Sequence, residues 1–309
     1  MILIISDEYD ISTAYVIDWL NYFQVEWLRI NDSDDCELTV IDSKTFITLK
    51  QGTIDIDKVE AVWYRRGFIA VGEFRKLGVP QFNSYLSHNK SVLHEYLQYK
   101  LSGKRQINTF SKANVNKLIV NDIAKEIGLK IPEFYIDNKL HEQKKYKKTI
   151  TKPITPGFLG SIDEFKIDSY TKILDKDRVK SFSTSLLQEY IEKKFEIRTF
   201  YLLGKCWSMA IFSQSDNQTQ VDFRRYNKEV PNRTVPFKLP ESIEKKIDNL
   251  MKRISLESGS IDFLYSADHT FYFLEVNPVG QFDMVSFPCN YHLEKEIALH
   301  LINRYETEE

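Results

Sequence analysis

The chain has 309 residues, with 42 Lys and Arg against 44 Asp and Glu for a formal charge of −2, which lacks the basic footprint of a protein that grips nucleic acid along its surface. With 42% hydrophobic and 13% aromatic residues but only 11 Gly and 9 Pro, it can bury a sizeable core and is not low-complexity disorder; its length predicts two or three packed subdomains. Cys36, Cys206 and Cys289 are odd in number and far apart, which excludes a disulfide framework or a CxxC knuckle and suits a reducing cytoplasm. Met1 runs into Ile-Leu-Ile-Ile and then Asp7 and Glu8, without the basic flank and long apolar run of a signal peptide, and no stretch is apolar enough to span a membrane.

In chain order, a short apolar strand (Met1–Ile5) precedes an amphipathic helix near Ile11–Phe23 and a strand near Trp27–Ile30. ELTVID and TFITLK flank Ser43-Lys44 as a hairpin, and a strand Val59–Tyr64 ends in Arg65-Arg66-Gly67. A polar-aromatic helix over about Ser84–Leu101 follows, then a helix starting at Ser111 and stopped by Gly128. From Ile131 the pattern shifts to short strands: IPEFYID, a Lys-rich connector over Lys139–Lys148, Lys148–Lys152 running into PITPGFLGS, then Leu186–Ile191, Phe195–Leu203 and Cys206–Phe212. A helix at Pro240–Leu256, a hairpin and a last helix, Tyr291–Arg304, complete the chain. An α/β front half followed by a mainly antiparallel α+β back half is expected.

The sharpest chemical signal is the strand pair GSIDFLYS and TFYFLEVNP. A turn centred on Ala267-Asp268 sets Asp262 opposite Phe273 and turns Asp262, Glu275 and Asn277 to one sheet face, because side chains repeat every two residues. Two carboxylates and an amide repel unless a hard cation sits between them, and Mg²⁺ is held by one or two carboxylates together with substrate phosphates; a solvated face with an Asx turn at Asn277-Pro278 is the competing account. Lys152-Pro153 ends a strand before Thr155, Gly157, Gly160 and Ser161, so a lysine beside a Gly-containing loop can neutralise phosphate, although a surface lysine before a turn has the same pattern. Lys117 lies near a helix start. Glu196 and Arg198, two residues apart, share a strand face after Gln188-Glu189-Tyr190-Ile191, and Asp222, Arg224 and Arg225 form a further charged group. Arginine's planar fork suits carboxylate and phosphate, while cross-strand ion pairs worth under about 1 kcal/mol each are the bland alternative. The six histidines form no triad with Ser or Cys.

The order of these signals, a helix-start Lys, a strand Lys-Pro with a Gly loop, a Glu-bearing hinge strand, ExR, a basic loop, Asp and then ExNP, resembles the ATP-grasp ligases over about residues 110–305. FLEVNPVGQFDMVSFPCNYHLEKEIALHL, with VWYRRG near residue 63, resembles the ATP-grasp peptide maturases of the grasp-with-spasm type: graspetide synthetases, relatives of the microviridin ligases. The resemblance implies an α/β plus α+β ATP-grasp fold with an N-terminal pre-ATP-grasp α/β domain over 1–110, a central subdomain over 111–187 and a C-terminal antiparallel-sheet subdomain over 188–309. It implies ATP and Mg²⁺ as cofactors, with Lys117 and Lys152 at the phosphates and adenine side, the backbone of Glu189 and Ile191 at the adenine edge, and Glu196 near the ribose or acceptor. Asp262, Glu275 and Asn277 match the metal positions. Arg198 stands where related peptide ligases have DxR, the acid here being the longer Glu196.

The chemistry so implied is phosphoryl transfer from ATP to an Asp or Glu side chain of a ribosomal precursor peptide. A Thr or Ser hydroxyl or a Lys amine then attacks the acyl phosphate, with Lys152, Arg198 and Arg224 neutralising charge. Arg65 and Arg66 are expected to hold a peptide carboxylate or an interface acid, with plain solvation as the alternative, and Cys289 to be a packed thiol. The Lys-rich connector and Phe165–Asp177 are the candidates for leader recognition. A homodimer and a radical-SAM SPASM partner are further implications. The alternatives are an ATP-grasp carboxylate-amine ligase acting on a small amino acid or peptide terminus, and a nucleotide-binding module that ligates nothing.

Overall fold

The computed structural model describes residues 1–303 apart from 73–78, 141–145, 147, 153, 155–159, 163–164, 168–170, 175–182, 215–220, 222–226, 228 and 230. A four-stranded parallel sheet opens the chain, in the order Trp27–Asn31, Ile2–Ser6, Ala61–Tyr64, Arg105–Ile107. Ile2–Ser6 is central and buried throughout, as parallel strands covered on both faces are. Ile2 and Ile4 point to Val16, Ile17 and Leu20 of the helix Ile11–Tyr22, whereas Leu3 and Ile5 point to Ile47, Leu97 and Leu101. The second set belongs to the antiparallel meander Asp35–Ile41, Lys44–Leu49 and Gly52–Asp55, and to the 22-residue helix Pro80–Leu101. The expected hairpin forms, with Asp42 and Ser43 at φ 48° and 65°, the left-handed pair that a two-residue hairpin turn demands.

The helix expected from Ser111 begins later. Phe110–Lys112 is a 3₁₀ turn, and Asn116 caps the helix Lys117–Glu126 by accepting from the backbone N–H of Leu118 (3.0 Å) and Ile119 (3.4 Å); an Asn side chain at the N-cap competes well with a Ser. Lys117 thereby becomes the first helical residue. Gly128, at φ +80°, lies two residues past the last helical residue, in the left-handed conformation that closes a helix.

Two larger antiparallel sheets follow, besides the two-stranded pair Gly160–Ile162 and Phe165–Ile167. The smaller has the order Lys172–Ile173, Thr149–Lys152, Ser185–Glu189, Phe134–Asp137; the larger has Arg233–Phe237, Lys205–Phe212, Lys193–Leu202, Ser258–Ser266, Phe271–Asn277. Strand Lys193–Leu202 divides its side chains cleanly. Ile197 and Tyr201 pack with Ile247, Leu250 and Met251 of the helix Glu241–Arg253, while Phe200 and Leu202 turn to the opposite face and join Ile2, Trp63 and Phe282. One hydrophobic core therefore links the N-terminal sheet to the C-terminal one, and the last helix, Leu293–Leu301, lies in it beside Ile11–Tyr22. That helix starts at Leu293 rather than Tyr291, because Asn290 and His292 are left-handed at φ 55° and 53°. Strands the periodicity does not reveal, among them Gly52–Asp55, Ala70–Val71, Arg105–Ile107, Lys172–Ile173 and Arg233–Phe237, lie at sheet edges. Among the described helices none is long and apolar enough to cross a membrane.

Candidate active site

The face of Lys193–Leu202 that carries Phe200 and Leu202 toward the N-terminal sheet also carries Glu196 and Arg198. Where that sheet ends the face becomes polar and lines a cleft of about 530 Å³, within the range of cofactor sites. The far wall is the smaller sheet, through Ile150, Lys152, Gln188 and Glu189. Asp262, Glu275 and Asn277 line the near wall, and Tyr64 and Asn114 close one end.

Asp262 is paired across the ladder with Glu275, not with Phe273, because the register shifts between Asp262 and Phe263. Before the shift Phe263 faces Phe273 and both are fully buried in the core, their rings 5.7 Å apart; after it Ile261 faces Val276 in the same core. Leu274 is the additional residue. Strict alternation from Phe273 would send Glu275 into the core, and the bulge returns it to the face of Asp262. Apolar positions along this strand switch from odd (Phe271, Phe273) to even (Val276), the one trace of the bulge in the sequence.

The carboxylates are not left to repel one another. Arg198 Nη1 donates to both Asp262 oxygens at 3.1 Å, with both side chains almost wholly buried. Lys117 Nζ lies 2.8 Å from Glu275 Oε2, both partly exposed. Lys193, fully buried, donates to Glu196, whose other oxygen accepts from Ser213 Oγ at 3.0 Å. Gln188 Oε1, on the cleft wall, and Arg198 Nε, behind Asp262, are buried without a hydrogen-bond partner among the described residues, and the first is polar capacity that a bound molecule can satisfy.

No protein-family model and no curated protein matches this chain. Its fold, however, is that of known structures. A Chryseobacterium gregarium RiPP-associated ATP-grasp ligase, in complex with ADP and a leader and core peptide, aligns at a TM-score of 0.84 and 23% identity over 98% of this chain and 96% of that one. The macrocyclase MdnC of Microcystis aeruginosa, bound with precursor peptide MdnA, aligns at 0.78 and 21% identity over 98% and 100%. The ATP-grasp ligase PsnB with minimal precursor, Mg and ADP aligns at 0.74 and 15% identity over 98% and 97%. The chain has the ATP-grasp ligase fold.

Within that ATP-grasp fold, Lys117, Lys152, Glu189, Ile191, Glu196, Asp262, Glu275 and Asn277 all border the one cleft, and Arg198 reaches it through Asp262. The donor set fits a hard cation. Among the described residues no three His, Cys, Asp or Glu side chains form a ready-made cage; two carboxylates and the exposed amide of Asn277 are the incomplete oxygen set that Mg²⁺ takes when phosphates supply the rest.

Two expectations change. Arg65 is not available to a peptide: it is 4% exposed, Nε donates to Asp10 Oδ2 at 3.0 Å, and Nη1 donates to Val279 O at 2.9 Å and Gly280 O at 3.4 Å. Arg66 is partly exposed but lies against Asp7 (3.4 Å) and Asp10 (3.3 Å). Arg224, with Asp222 and Arg225, lies outside the described residues, as do most of the Lys-rich connector and parts of 165–177. Cys289 is packed in the core, and burial raises its thiol above the ordinary range; burial likewise pushes Cys36 and Cys206 up to about 12. Lys193 was missed by sequence reasoning, and Gln188 was named only within the strand cluster that leads to Glu189, with no role of its own. Their only signal is position, on the strands that carry Glu196 and Glu189.

Proposed function

We propose that the protein is an ATP-dependent, ADP-forming ligase that activates Asp or Glu side-chain carboxylates of a ribosomal precursor peptide as acyl phosphates and joins them to Thr or Ser hydroxyls or Lys amines, closing macrocyclic ester or amide crosslinks. The observation that carries the reading is the cleft. Four cationic side chains, Lys117, Lys152, Lys193 and Arg198, converge with the Asp262–Glu275 pair between two antiparallel sheets. The similar ATP-grasp ligases with ADP, and with leader and core peptide, extend over nearly the whole chain.

Mg²⁺, when bound, supplies Lewis-acid neutralisation of the transferring phosphoryl group. The chain's own residues do the rest. Lys152 and Lys117 neutralise nucleotide phosphates, the strand end Glu189–Ile191 presents backbone groups to the base, and the Lys193–Glu196 pair lines the ribose side. Arg198, with Nε unsatisfied among the described residues, keeps donor capacity for the substrate carboxylate it must bring toward a polyanion. Arg224, outside the described residues, is given the same charge-neutralising role by the resemblance alone. Positioning and neutralisation are enough for this reaction, because phosphoryl transfer needs no protein nucleophile.

The same reading assigns residues 1–110, 111–187 and 188–309 to the pre-ATP-grasp, central and C-terminal subdomains, leader recognition to the central one, and the protein to the cytoplasm beside a radical-SAM SPASM partner. A homodimer is supported by Phe82, Tyr85, Val92 and Tyr99, which project from the helix Pro80–Leu101 and are exposed. The test is to incubate the protein with a precursor peptide, ATP and Mg²⁺ and to follow ADP by coupled assay and the peptide by intact mass. One ADP and one lost water per crosslink is expected. Lys152→Ala should lower the rate by about 2–4 kcal/mol of transition-state stabilisation, by analogy with loss of one oxyanion donor, while Lys245→Ala, in an exposed pair with Glu241, leaves it unchanged. ATP binding with no mass loss on any peptide would leave a nucleotide-binding module, and ligation of a free amino acid would move the protein to the small-substrate class.

A further inference from the structure

Asn277 is followed by Pro278, Val279 and Gly280, and the carbonyl of each of these three residues is held by a side chain from the N-terminal sheet. Asn108 Nδ2 donates to Pro278 O at 3.1 Å, and also to Ser258 O (3.0 Å) and Ser258 Oγ (3.1 Å). Its Oδ1 accepts from the backbone N–H of Glu257 and Ser258 at 3.1 and 3.0 Å. Arg65 Nη1 takes the carbonyls of Val279 and Gly280. The two holders stand directly after adjacent parallel strands, Ala61–Tyr64 and Arg105–Ile107. Arg65 is itself fixed by Asp10, which caps the helix Ile11–Tyr22 by accepting from Thr13 N (3.1 Å) and Thr13 Oγ1 (2.6 Å). Its guanidinium lies over the Phe282 ring, 5.6 Å from the centroid.

The segment has no slack on its other side. A Cβ on Gly280 would fall 2.3 Å from Ser260 Oγ and 2.4 Å from Ser260 Cβ, and Ser260 is the cross-strand partner of Asn277. Gly280 N–H closes a turn onto Asn277 O at 3.1 Å. From these contacts we infer that Arg65 and Asn108 are positioning residues for the metal site: the N-terminal sheet sets the place of Asn277, and with it the third oxygen donor beside Asp262 and Glu275. The inference rests on the proposed Mg²⁺–nucleotide reading of the cleft. It assigns a role to two buried polar groups that packing alone does not require, since groups that orient metal ligands tune affinity nearly as strongly as the ligands do.

The test titrates MgCl₂ into the protein at a fixed concentration of a non-hydrolysable ATP analogue, with nucleotide binding read by calorimetry and thermal midpoints measured alongside. Arg65→Lys keeps the charge but cannot span Asp10 and two carbonyls; Asn108→Asp keeps the shape but loses the donor; Gly280→Ala drives a methyl into Ser260. Leu97→Ala, a fully buried core position on the long helix, controls for general loss of stability. The Mg²⁺ concentration for half-maximal binding is expected to rise ~10- to 100-fold in Arg65→Lys and Asn108→Asp, to rise in Gly280→Ala, and to stay unchanged in Leu97→Ala although its midpoint falls. Should Arg65→Lys not fold, Asn108→Asp decides. A Mg²⁺-dependent wild type whose variants lose stability without moving that half-point overturns the positioning role alone; a wild type with no Mg²⁺ dependence overturns the reading of the cleft and the positioning role with it.

Discussion

At the scale of single residues, the two carboxylates of the cleft differ in what their removal exposes. Asp262 compensates a nearly buried arginine, so Asp262→Asn strands Arg198 as an unpaired internal charge. Glu275 faces a lysine that water can still reach. Both Asp262→Asn and Glu275→Gln are expected to abolish Mg²⁺-dependent turnover with the fold retained. In chemical denaturation without nucleotide, Asp262→Asn should cost about 3–5 kcal/mol, as breaking a buried pair does, and Glu275→Gln no more than about 1 kcal/mol. Equal losses would mean that the Arg198–Asp262 contact carries no special weight, and full activity in either variant would remove that residue from the metal set. The sequence identifies these residue types and their chain order; it does not identify their partners. A bare pair of carboxylates on a strand face suggests repulsion in an empty site, whereas the fold brings Lys117 and Arg198, from 158 and 64 residues away along the chain, to neutralise it.

At the scale of elements, the bulge at Leu274 decides which way Glu275 points. Deleting Leu274 regularises the ladder while keeping Phe273 opposite Phe263 and Glu275 opposite Asp262, so the variant is expected to fold and to retain Mg²⁺-dependent nucleotide binding. Deleting Val276 instead shifts Asn277 onto the core face and removes an apolar side chain from beside Ile261. That variant should lose both binding and stability, the latter by several kcal/mol, as large losses of core contact do. Circular dichroism with thermal melts and nucleotide titration separates the two; a folded Val276 deletion that still binds would show that the register is not what aims the site. Helix boundaries carry a similar lesson. Ser111 has the right chemistry for a cap, yet Asn116 takes the role, and only that choice sets Lys117 at the first helical position, within reach of Glu275.

At the scale of the whole molecule, the last helix returns to the N-terminal layer, and His300 is built into that junction. Burial, reinforced by the positive charge of Arg105, lowers its pKa to about 4. The folded value lies below the unfolded one near 6.5, so the fold requires neutral imidazole: the stability it contributes is complete above about pH 6.5 and is lost as pH falls through about 4. The size follows from the shift and is at most about 3 kcal/mol. His300→Gln is expected to flatten the stability curve between those limits, measured by denaturant unfolding at a series of pH values; an unchanged slope would mean that another group governs the acid limb. Because one hydrophobic core joins Ile2, Ile4 and Trp63 to Phe200, Met209 and Leu293, N- and C-terminal elements should unfold together at this junction.

By itself the sequence determined the local terms: which segments are apolar enough to be strands or helices, where Gly128 stops a helix, and the chain order of the lysines, ExR, Asp and ExN that resembles the ATP-grasp ligases. Those terms depend on residues within a few positions of one another, and periodicity reports them well. Tertiary structure alone decided that Arg65 serves the loop after Asn277 rather than a ligand, that Asn108 closes on two distant segments, and that a bulge turns Glu275 toward Asp262. Each depends on pairing between residues far apart in the chain, whose register is set by how two faces pack, and no local pattern encodes that packing.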